Sequence, residues 1–316
     1  MREYILRRIA YVVPVLFLVT AVTFSVALLL PGDPALAYLG EANMRDKAMY
    51  ETMRKELGLD QSIPVQYAKW LARVLRGDFG RSIRTREPAL EGLLARFPVT
   101  LHLTVMAMVI ALLIAVPVGI LSAVRPNSSA DKVGTVLAMS GVAIPDFWLG
   151  IMLIYVFSVW FKVLPPSGYV PISQGLWPSF QSMLLPAVSL GMAISAVVMR
   201  QLRSSLVEVL QQEYVMVARA KGLRESLVVG RHALKNALIP VVTVIGLQTG
   251  RLFGGAVVVE TIFALPGLGR LAADSIFFRD FPMLQGVVLI LALALLLANL
   301  LTDVIYALLD PRIRYT

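Results

Sequence analysis

Long apolar runs separated by short polar connections dominate the sequence. A helix needs about 20 apolar residues to cross the roughly 30 Å hydrocarbon core of a bilayer, and six runs fit this requirement with at most one charged residue each. The predicted spans lie at 9–32, 97–124, 133–161, 183–199, 236–259 and 281–302. Proline residues between positions 165 and 178 predict a loop before the fourth span, and we expect Pro186 in the first turn of that span, where proline is tolerated. The pattern predicts an all-α, polytopic membrane protein with six transmembrane helices.

The connection at residues 31–98 is the long exception. Helical spacing at 51–58 and 64–75 predicts two amphipathic helices, the second with Val65, Ala68, Leu71 and Leu75 on one face. They are expected to lie over the outer mouth of the bundle, either as a packed lid or as a docking surface. Gly77 and Ser82, in the same connection, are expected to be accessible from outside.

Composition supports a membrane protein and excludes several other classes. Hydrophobic residues make up 58% of the chain and charged residues 16%, too little polar surface for a soluble protein. In a membrane protein, a net charge of +9 indicates basic cytoplasmic loops. Nucleic acid is therefore not an expected partner. The chain has no cysteine, and its two histidines, His102 and His232, are too distant in sequence for a histidine metal site.

The distribution of basic residues predicts the orientation. Short connections on the side of the N-terminus contain fourteen Lys and Arg, whereas the short opposite loops contain three. Both termini are therefore predicted to be cytoplasmic. A signal-peptidase site at Ala35–Ala37 is the alternative for the first span, but the apolar run before it is too long and Pro34 adjoins it.

Two charged residues lie inside predicted spans, Asp146 and Arg251. An ion in the hydrocarbon region costs at least about 2.5 kcal/mol, so it faces a partner or a polar cavity. Asp146 and Arg251 either pair with each other or with backbone carbonyls, or they line a polar pathway. Arg251 is also adjacent to glycines at four-residue intervals, Gly246, Gly250 and Gly254, which predict a close helix–helix contact within the chain or with another subunit.

The most charged short connection, at 201–238, predicts a helical elbow. Gly222 follows Ala220 and Lys221 at the place where a left-handed residue ends a helix, and a second helical pattern then continues through His232. Ala218 and Ala220 keep the first helix thin. Such an elbow could enter a groove on another protein, or it could be an ordinary solvated hairpin.

This elbow resembles the cytoplasmic signature loop of ABC importer permeases, in the version of the dipeptide/oligopeptide/nickel branch. The general family has Glu-Ala-Ala where Met216-Val217-Ala218 stands here, so only Ala218 and Gly222 match that general pattern. Further motifs of the branch cover the whole chain in order: Leu30-Pro-Gly-Asp-Pro34, Gly80-Arg-Ser82, Ile144-Pro-Asp-Phe-Trp-Leu-Gly150, Gly254-Gly-Ala-Val-Val-Val-Glu260, Pro266-Gly-Leu-Gly269 and Asp310-Pro-Arg312.

The resemblance implies the type I ABC importer permease fold, also called MetI-like. Residues 1–98 would form the first transmembrane helix with a long extracytoplasmic loop, and residues 99–316 a five-helix permease core with the coupling loop 201–238. The resemblance places the following residues in the coupling loop to an ATPase: Glu213, Ala218, Ala220, Lys221, Gly222, His232 and Asn236.

The resemblance also implies the function: a non-catalytic permease subunit of an ATP-driven, binding-protein-dependent importer, most simply for di- or oligopeptides. Its partners would be a homologous second permease, two ATP-binding subunits that hold ATP and Mg²⁺, and an extracytoplasmic substrate-binding protein, in a bacterial or archaeal cytoplasmic membrane. This chain would carry no cofactor, since it has no phosphate-binding glycine loop and no zinc-protease motif. The alternative, an ion-coupled secondary transporter or channel, would need its own ion site and often internal repeats, and the sequence shows neither clearly. An intramembrane enzyme lacks an evident nucleophile or metal cluster.

Overall fold

The computed structural model describes residues 2–29, 33–39 and 47–309, and over these residues the chain is helical without a strand. Residues 30–32 of the Leu30–Pro34 motif and the Asp310–Arg312 motif lie outside the described residues. The helices are α1 Arg2–Leu29, α2 Pro34–Leu39, α3 Lys47–Glu56, α4 Ile63–Leu75, α5 Ala89–Val124, α6 Ser129–Ala143, α7 Asp146–Leu153, α8 Leu176–Leu210, α9 Glu213–Ala220, α10 Glu225–Leu227, α11 Leu234–Ile262, α12 Leu268–Phe277 and α13 Phe281–Leu309. The two predicted outer helices correspond to α3 and α4, and the all-α prediction is confirmed.

The long apolar helices of the described residues are roughly consistent with the predicted count of six. Among the described residues, α5, α8, α11 with the segment before it, and α13 are each long and apolar enough to cross a bilayer. The α6–α7 pair passes the same test as one bent unit, and α1 contains a shorter apolar stretch, Tyr11–Ser25.

The third predicted span, at 133–161, is sharply bent, which the sequence prediction of a span did not include. The α6 helix ends at Ala143, and α7 leaves it at an angle of 104°. Ile144 and Pro145 between them are extended, with ψ values of 123° and 138°. Proline disfavours helical geometry in the residue before it, and Pro145 serves as the N-cap of α7. Asp146 thus lies in the first turn of α7, directly after the bend.

The fourth predicted span was also placed wrongly at its start. The α8 helix begins at Leu176, so Pro178 lies in its first turn and Pro186 lies inside it. An internal proline forfeits one backbone hydrogen bond. The helix tolerates this loss because it is buried along most of its apolar length, and Pro186 itself is buried.

The chain divides into two compact units. The first unit comprises Met1–Arg8, Leu101–Leu265 and Leu295–Thr316, and the second unit comprises Ile9–Thr100 and Pro266–Ala294. In the first unit, α8 is the central helix and packs against α6, α7 and α11. The α5 helix also approaches α8 closely, because a Cβ on Gly191 would be only 2.6 Å from the carbonyl oxygen of Ala107.

An aromatic cluster joins α4 to α1 in the second unit. The ring of Phe24 lies 5.7 Å from those of both Tyr67 and Trp70, and the Tyr67 hydroxyl is 2.8 Å from the Thr20 hydroxyl. The face of α4 that packs on α1 is this aromatic one, whereas Val65, Ala68 and Leu75 of the predicted apolar face are exposed, as the docking-surface alternative requires. The larger Tyr67 and Trp70 rings bury more apolar area, so they set the face that packs.

A second contact of this unit connects residues far apart in sequence. Asp280 is buried and accepts hydrogen bonds from the Ser82 hydroxyl and from the Ile83 amide at 3.1 Å. Ser82 is 2% exposed, so its expected accessibility was wrong, whereas Gly77 is exposed. The carboxylate fixes the 80–84 turn to the start of α13.

Candidate coupling loop and pathway residues

The predicted helical elbow is present in the first unit. The α9 helix ends at Ala220, Lys221 is its C-cap, and Gly222 has a φ of 75°. A left-handed φ favours glycine because a Cβ would be strained there. After Gly222, α10 continues through a π-helical segment, Val228–Ala233, into α11. The helix–glycine–helix pattern predicted from sequence is thus confirmed as local structure.

Small residues hold the two arms of the elbow together. Ala218 is 6% exposed and belongs to an apolar core built from the end of α5, α8, α9, the segment leading into α11 and the start of α11. The buried members of this core are Ala123, Leu206, Leu210, Val215, Ala218, Val228, Val229, Ala233 and Ala237. A larger side chain at position 218 would push α9 away from this core.

The tip of the elbow is exposed and closed by an ion pair. Ala220, Lys221 and Gly222 all face outward. Arg219 donates from Nη2 to Oε1 of Glu225 at 2.6 Å and from Nε to Oε2 at 3.1 Å, across the Gly222 turn. The hydrogen bond with Glu225 raises the pKa of the Arg219 guanidinium.

Three other predicted elbow residues lie along the arms. Asn236 donates from Nδ2 to the Tyr214 hydroxyl at 2.7 Å and so connects the start of α11 with α9. His232 is half-buried, and Glu213 is exposed in the first turn of α9. A carboxylate is favourable there because the helix N-terminus carries partial positive charge.

Exposed apolar side chains accompany the elbow, and our sequence reasoning did not single them out. Tyr214, Met216, Val217 and Leu227 are all more than 40% exposed. Each of them is adjacent in sequence to the buried Val215, Ala218 or Val228, and only the alternation of buried and exposed apolar residues could have indicated them. Apolar side chains at an exposed tip are suited to contact another protein.

Asp146 lies between α8 and α11. The Ser189 hydroxyl donates to the backbone carbonyl of Asp146 at 2.6 Å. The Asp146 carboxylate lies 3.6 Å from the place where a Cβ on Gly255 would be. Asp146 is half-buried, whereas Arg251 is exposed, and within the described part of the chain no ion pair joins the two.

The three glycines that follow one another at four-residue intervals on α11 have different surroundings. A Cβ on Gly246 would be 2.5 Å from Cγ2 of Thr302, and one on Gly250 would be 3.4 Å from Leu295. Gly246 and Gly250 therefore face α13 within the chain. Gly254 is exposed, and no atom lies within 4 Å of its Cβ position.

The family comparison decides what kind of protein this is. Residues 115–315 match the family described as the binding-protein-dependent transport system inner membrane component, and residues 1–104 match the N-terminal model of such membrane components. The chain belongs to this family. It is an inner-membrane permease subunit of a binding-protein-dependent ABC importer, and such subunits do not catalyse ATP hydrolysis.

Curated relatives match this permease over its full length. It is 44% identical over 315 residues to a glutathione transport system permease protein, GsiC, of Pectobacterium atrosepticum, and 42% identical to its namesake in Escherichia coli K12; each match covers 100% of both chains. Among solved structures, an inward-facing MetNI methionine ABC transporter matches with a TM-score of 0.58 at 18% identity, over 69% of the permease and 96% of that chain. The last match shows the MetI-like fold that the sequence resemblance implied.

Proposed function

We propose that this permease forms half of a translocation pathway for peptide-like substrates and is driven by ATPase subunits that dock on its elbow. The observation that carries the proposal is the elbow itself, whose left-handed Gly222 and buried Ala218 fix a compact tip with exposed apolar residues. In an importer, such a tip is the element that can transmit motion from an ATPase to the transmembrane helices.

The substrate class rests on the relatives. Permeases 42–44% identical over their full length are named for glutathione transport, and glutathione is a modified tripeptide with two carboxylates. The exposed cation Arg251, in the middle of α11, is suited to attract such a carboxylate. We assign Arg251 and Asp146 to the pathway, Arg251 as an attracting charge and Asp146 as a polar group near α8.

The docking surface comprises the tip and the arms. Lys221, Ala220 and Gly222 present backbone and a single charge, while Glu213, His232 and Asn236 flank them. Ala218 acts from inside by holding α9 in place. Two ATP-binding subunits would serve this chain and a homologous second permease, whose contact would cover exposed parts of α11 near Gly254.

The same proposal sets the orientation. The elbow and both termini are cytoplasmic, and the outer loop at 31–98 faces the substrate-binding protein. Residues 1–98 then form the entry part of the subunit and residues 99–316 the core with the coupling loop 201–238. The basic residues of the inner connections support this arrangement.

Co-purification with uptake tests the proposal. The tagged permease, expressed with the transporter subunits encoded beside it, is expected to bring down ATP-hydrolysing subunits, and vesicles containing the complex should take up labelled glutathione or a dipeptide only with ATP and a binding protein. Uptake by the permease alone, driven by an ion gradient, would instead support a secondary transporter and overturn the proposal.

A further inference from the structure

The second unit contains a cavity of about 520 Å³ to which the proposed function assigns no role. Small-molecule sites commonly measure roughly 300–1,000 Å³. Its walls come from α1, α2, the end of α3 with the turn after it, α4, residues 76–80 and the start of α13. A site of this size could hold a short peptide.

One wall of the cavity is aromatic and firmly supported. Phe24 and Trp70 line it, with their ring centroids 5.7 Å apart. Tyr67 packs against both rings, and its hydroxyl is hydrogen-bonded to Thr20. Trp70 is only 8% exposed, so packing holds its ring in place, and the small part of the ring that lines the cavity is apolar.

The opposite wall is fixed by different contacts. The Asp78 carboxylate accepts from the Gly80 amide at 2.9 Å, and a Cβ on Gly80 would lie 3.5 Å from Pro282. The Ser82–Asp280 contact then ties this segment to the start of α13. Because both walls are held independently, the cavity is built into the unit.

The charges around the cavity favour an anion. Four cations, Lys55, Lys69, Arg73 and Arg76, line it against two carboxylates, Glu56 and Asp78. Within the part of the chain that the structure describes, none of the four cations forms an ion pair. Their charge is therefore free to meet a ligand carboxylate.

The α4 helix presents charge and apolar surface on one face. Gln66, Lys69, Trp70 and Arg73 line the cavity at the i, i+3, i+4 and i+7 positions of one helix, and residues so spaced share a side of the helix. A ligand can thus place a carboxylate against Lys69 and Arg73 while its side chain lies on Trp70.

We propose that this cavity binds short peptides with a free C-terminal carboxylate and an apolar side chain. The carboxylate is held by Lys69 and Arg73, and the side chain packs on the Trp70 wall. The proposal does not rest on transport, because binding to this chain alone decides it. The outer loop would then contain a peptide-binding site, in addition to the surface that faces the substrate-binding protein.

Tryptophan fluorescence of the full chain in lipid nanodiscs tests the proposal. Titration with trileucine is expected to give a saturable change that disappears in Trp70→Phe. Trileucine amide, which lacks the carboxylate, should bind about tenfold more weakly. Lys69→Gln should weaken trileucine binding several-fold, whereas Lys47→Gln, which removes the same charge from an exposed helix position outside the cavity lining, should leave it unchanged.

Equilibrium dialysis with labelled trileucine gives a second measurement for any variant whose fluorescence is altered. Equal affinity for trileucine and its amide would overturn the proposal, as would a fluorescence change that survives in Trp70→Phe. Equal losses in Lys69→Gln and Lys47→Gln would show a general charge effect and no site. Displacement of trileucine by inorganic phosphate at equal concentration would show a site for anions only. A failure of ATP-driven uptake leaves these results untouched.

Discussion

Arg203 on α8 holds both carboxylate oxygens of Asp131 on α6, with Nε–Oδ1 at 2.6 Å and Nη2–Oδ2 at 2.8 Å. Asp131 is 4% exposed and also accepts from the amide of Asn127 at 2.8 Å. The pair fastens the first turn of α6 to the central helix of the first unit, at the end of α6 opposite the bend at Pro145.

Breaking this pair should loosen α6. Arg203→Ala leaves a buried carboxylate without its main partner, so we expect a loss of roughly 2 kcal/mol in the free energy of unfolding, seen as a lower thermal midpoint in detergent. Arg200→Ala removes a similar charge from an exposed position of the same helix and should have little effect. Equal midpoints for the two variants would contradict a structural role of the pair.

Gly222 tests the coupling assignment. Its φ of 75° strains β-branched residues above all, although no atom lies within 4 Å of the Cβ position. Gly222→Val should therefore cost about 1–2 kcal/mol of local strain or redirect α10. We expect normal membrane abundance but loss of most substrate-stimulated ATPase activity in the assembled complex, with a milder effect for Gly222→Ala.

Two further variants separate backbone strain from side-chain bulk. Gly222→Asn should retain much of the activity, since asparagine tolerates the left-handed region. Gly230→Val is the matched control, because Gly230 is exposed, has open space at its Cβ position and does not have a positive φ. If complexes with each of the Gly222 variants show normal substrate-stimulated ATPase activity, the elbow is a solvated hairpin and the docking assignment fails.

Arg251 is the strongest candidate for contact with substrate in the pathway. Arg251→Ala should reduce peptide uptake about tenfold at equal membrane abundance, because a desolvated carboxylate loses its charged partner. Arg251→Lys keeps the charge and should retain more uptake than the alanine variant. Unchanged uptake by Arg251→Ala would remove this residue from the pathway.

Gly246 and Gly254 form a matched pair on α11. Gly246→Ala places a methyl group 2.5 Å from Thr302, whose hydroxyl is hydrogen-bonded to the Ala298 carbonyl, so the helices must separate. We expect a destabilisation of about 1–2 kcal/mol in thermal unfolding of the isolated chain. Gly254→Ala meets no atom and should be neutral or slightly stabilising. If Gly254→Ala destabilised the chain more than Gly246→Ala, α11 would not contact α13 through Gly246.

The topology can be tested with single cysteines because the chain has none of its own. Ser82 is unsuitable since it is buried, but Ser62 and Ser204 are exposed. Ser62→Cys should react with an impermeant thiol reagent in intact cells. Ser204→Cys should react only after the membrane is permeabilised. Reaction of Ser204→Cys in intact cells would place the elbow outside and invert the orientation.

Local signals in the sequence predicted the elbow well. A helix C-cap depends on a few adjacent residues, so Gly222 after Ala220 and Lys221 was sufficient to predict the left-handed turn. The glycines of α11 were recognised in the same way, yet the sequence did not tell which helix they face, since that depends on packing between distant segments.

Prolines show where local reasoning fails. Pro145 breaks its span by 104°, whereas Pro186 remains inside α8. Both are single prolines in apolar surroundings. The difference lies in the packing around α8, which compensates one missing hydrogen bond, and packing is not visible in a short window of sequence. For the same reason the Asp131–Arg203 and Ser82–Asp280 pairs were not foreseen.

The contact between Ser82 and Asp280 also has a consequence for biogenesis. Its partners are 198 positions apart, and a ribosome adds on the order of 5–20 residues per second. The 80–84 turn is therefore synthesised on the order of ten to forty seconds before the carboxylate that secures it. During that interval the nascent outer loop has neither the start of α13 nor its buried anchor, so the growing chain must remain protected until its last long helix emerges.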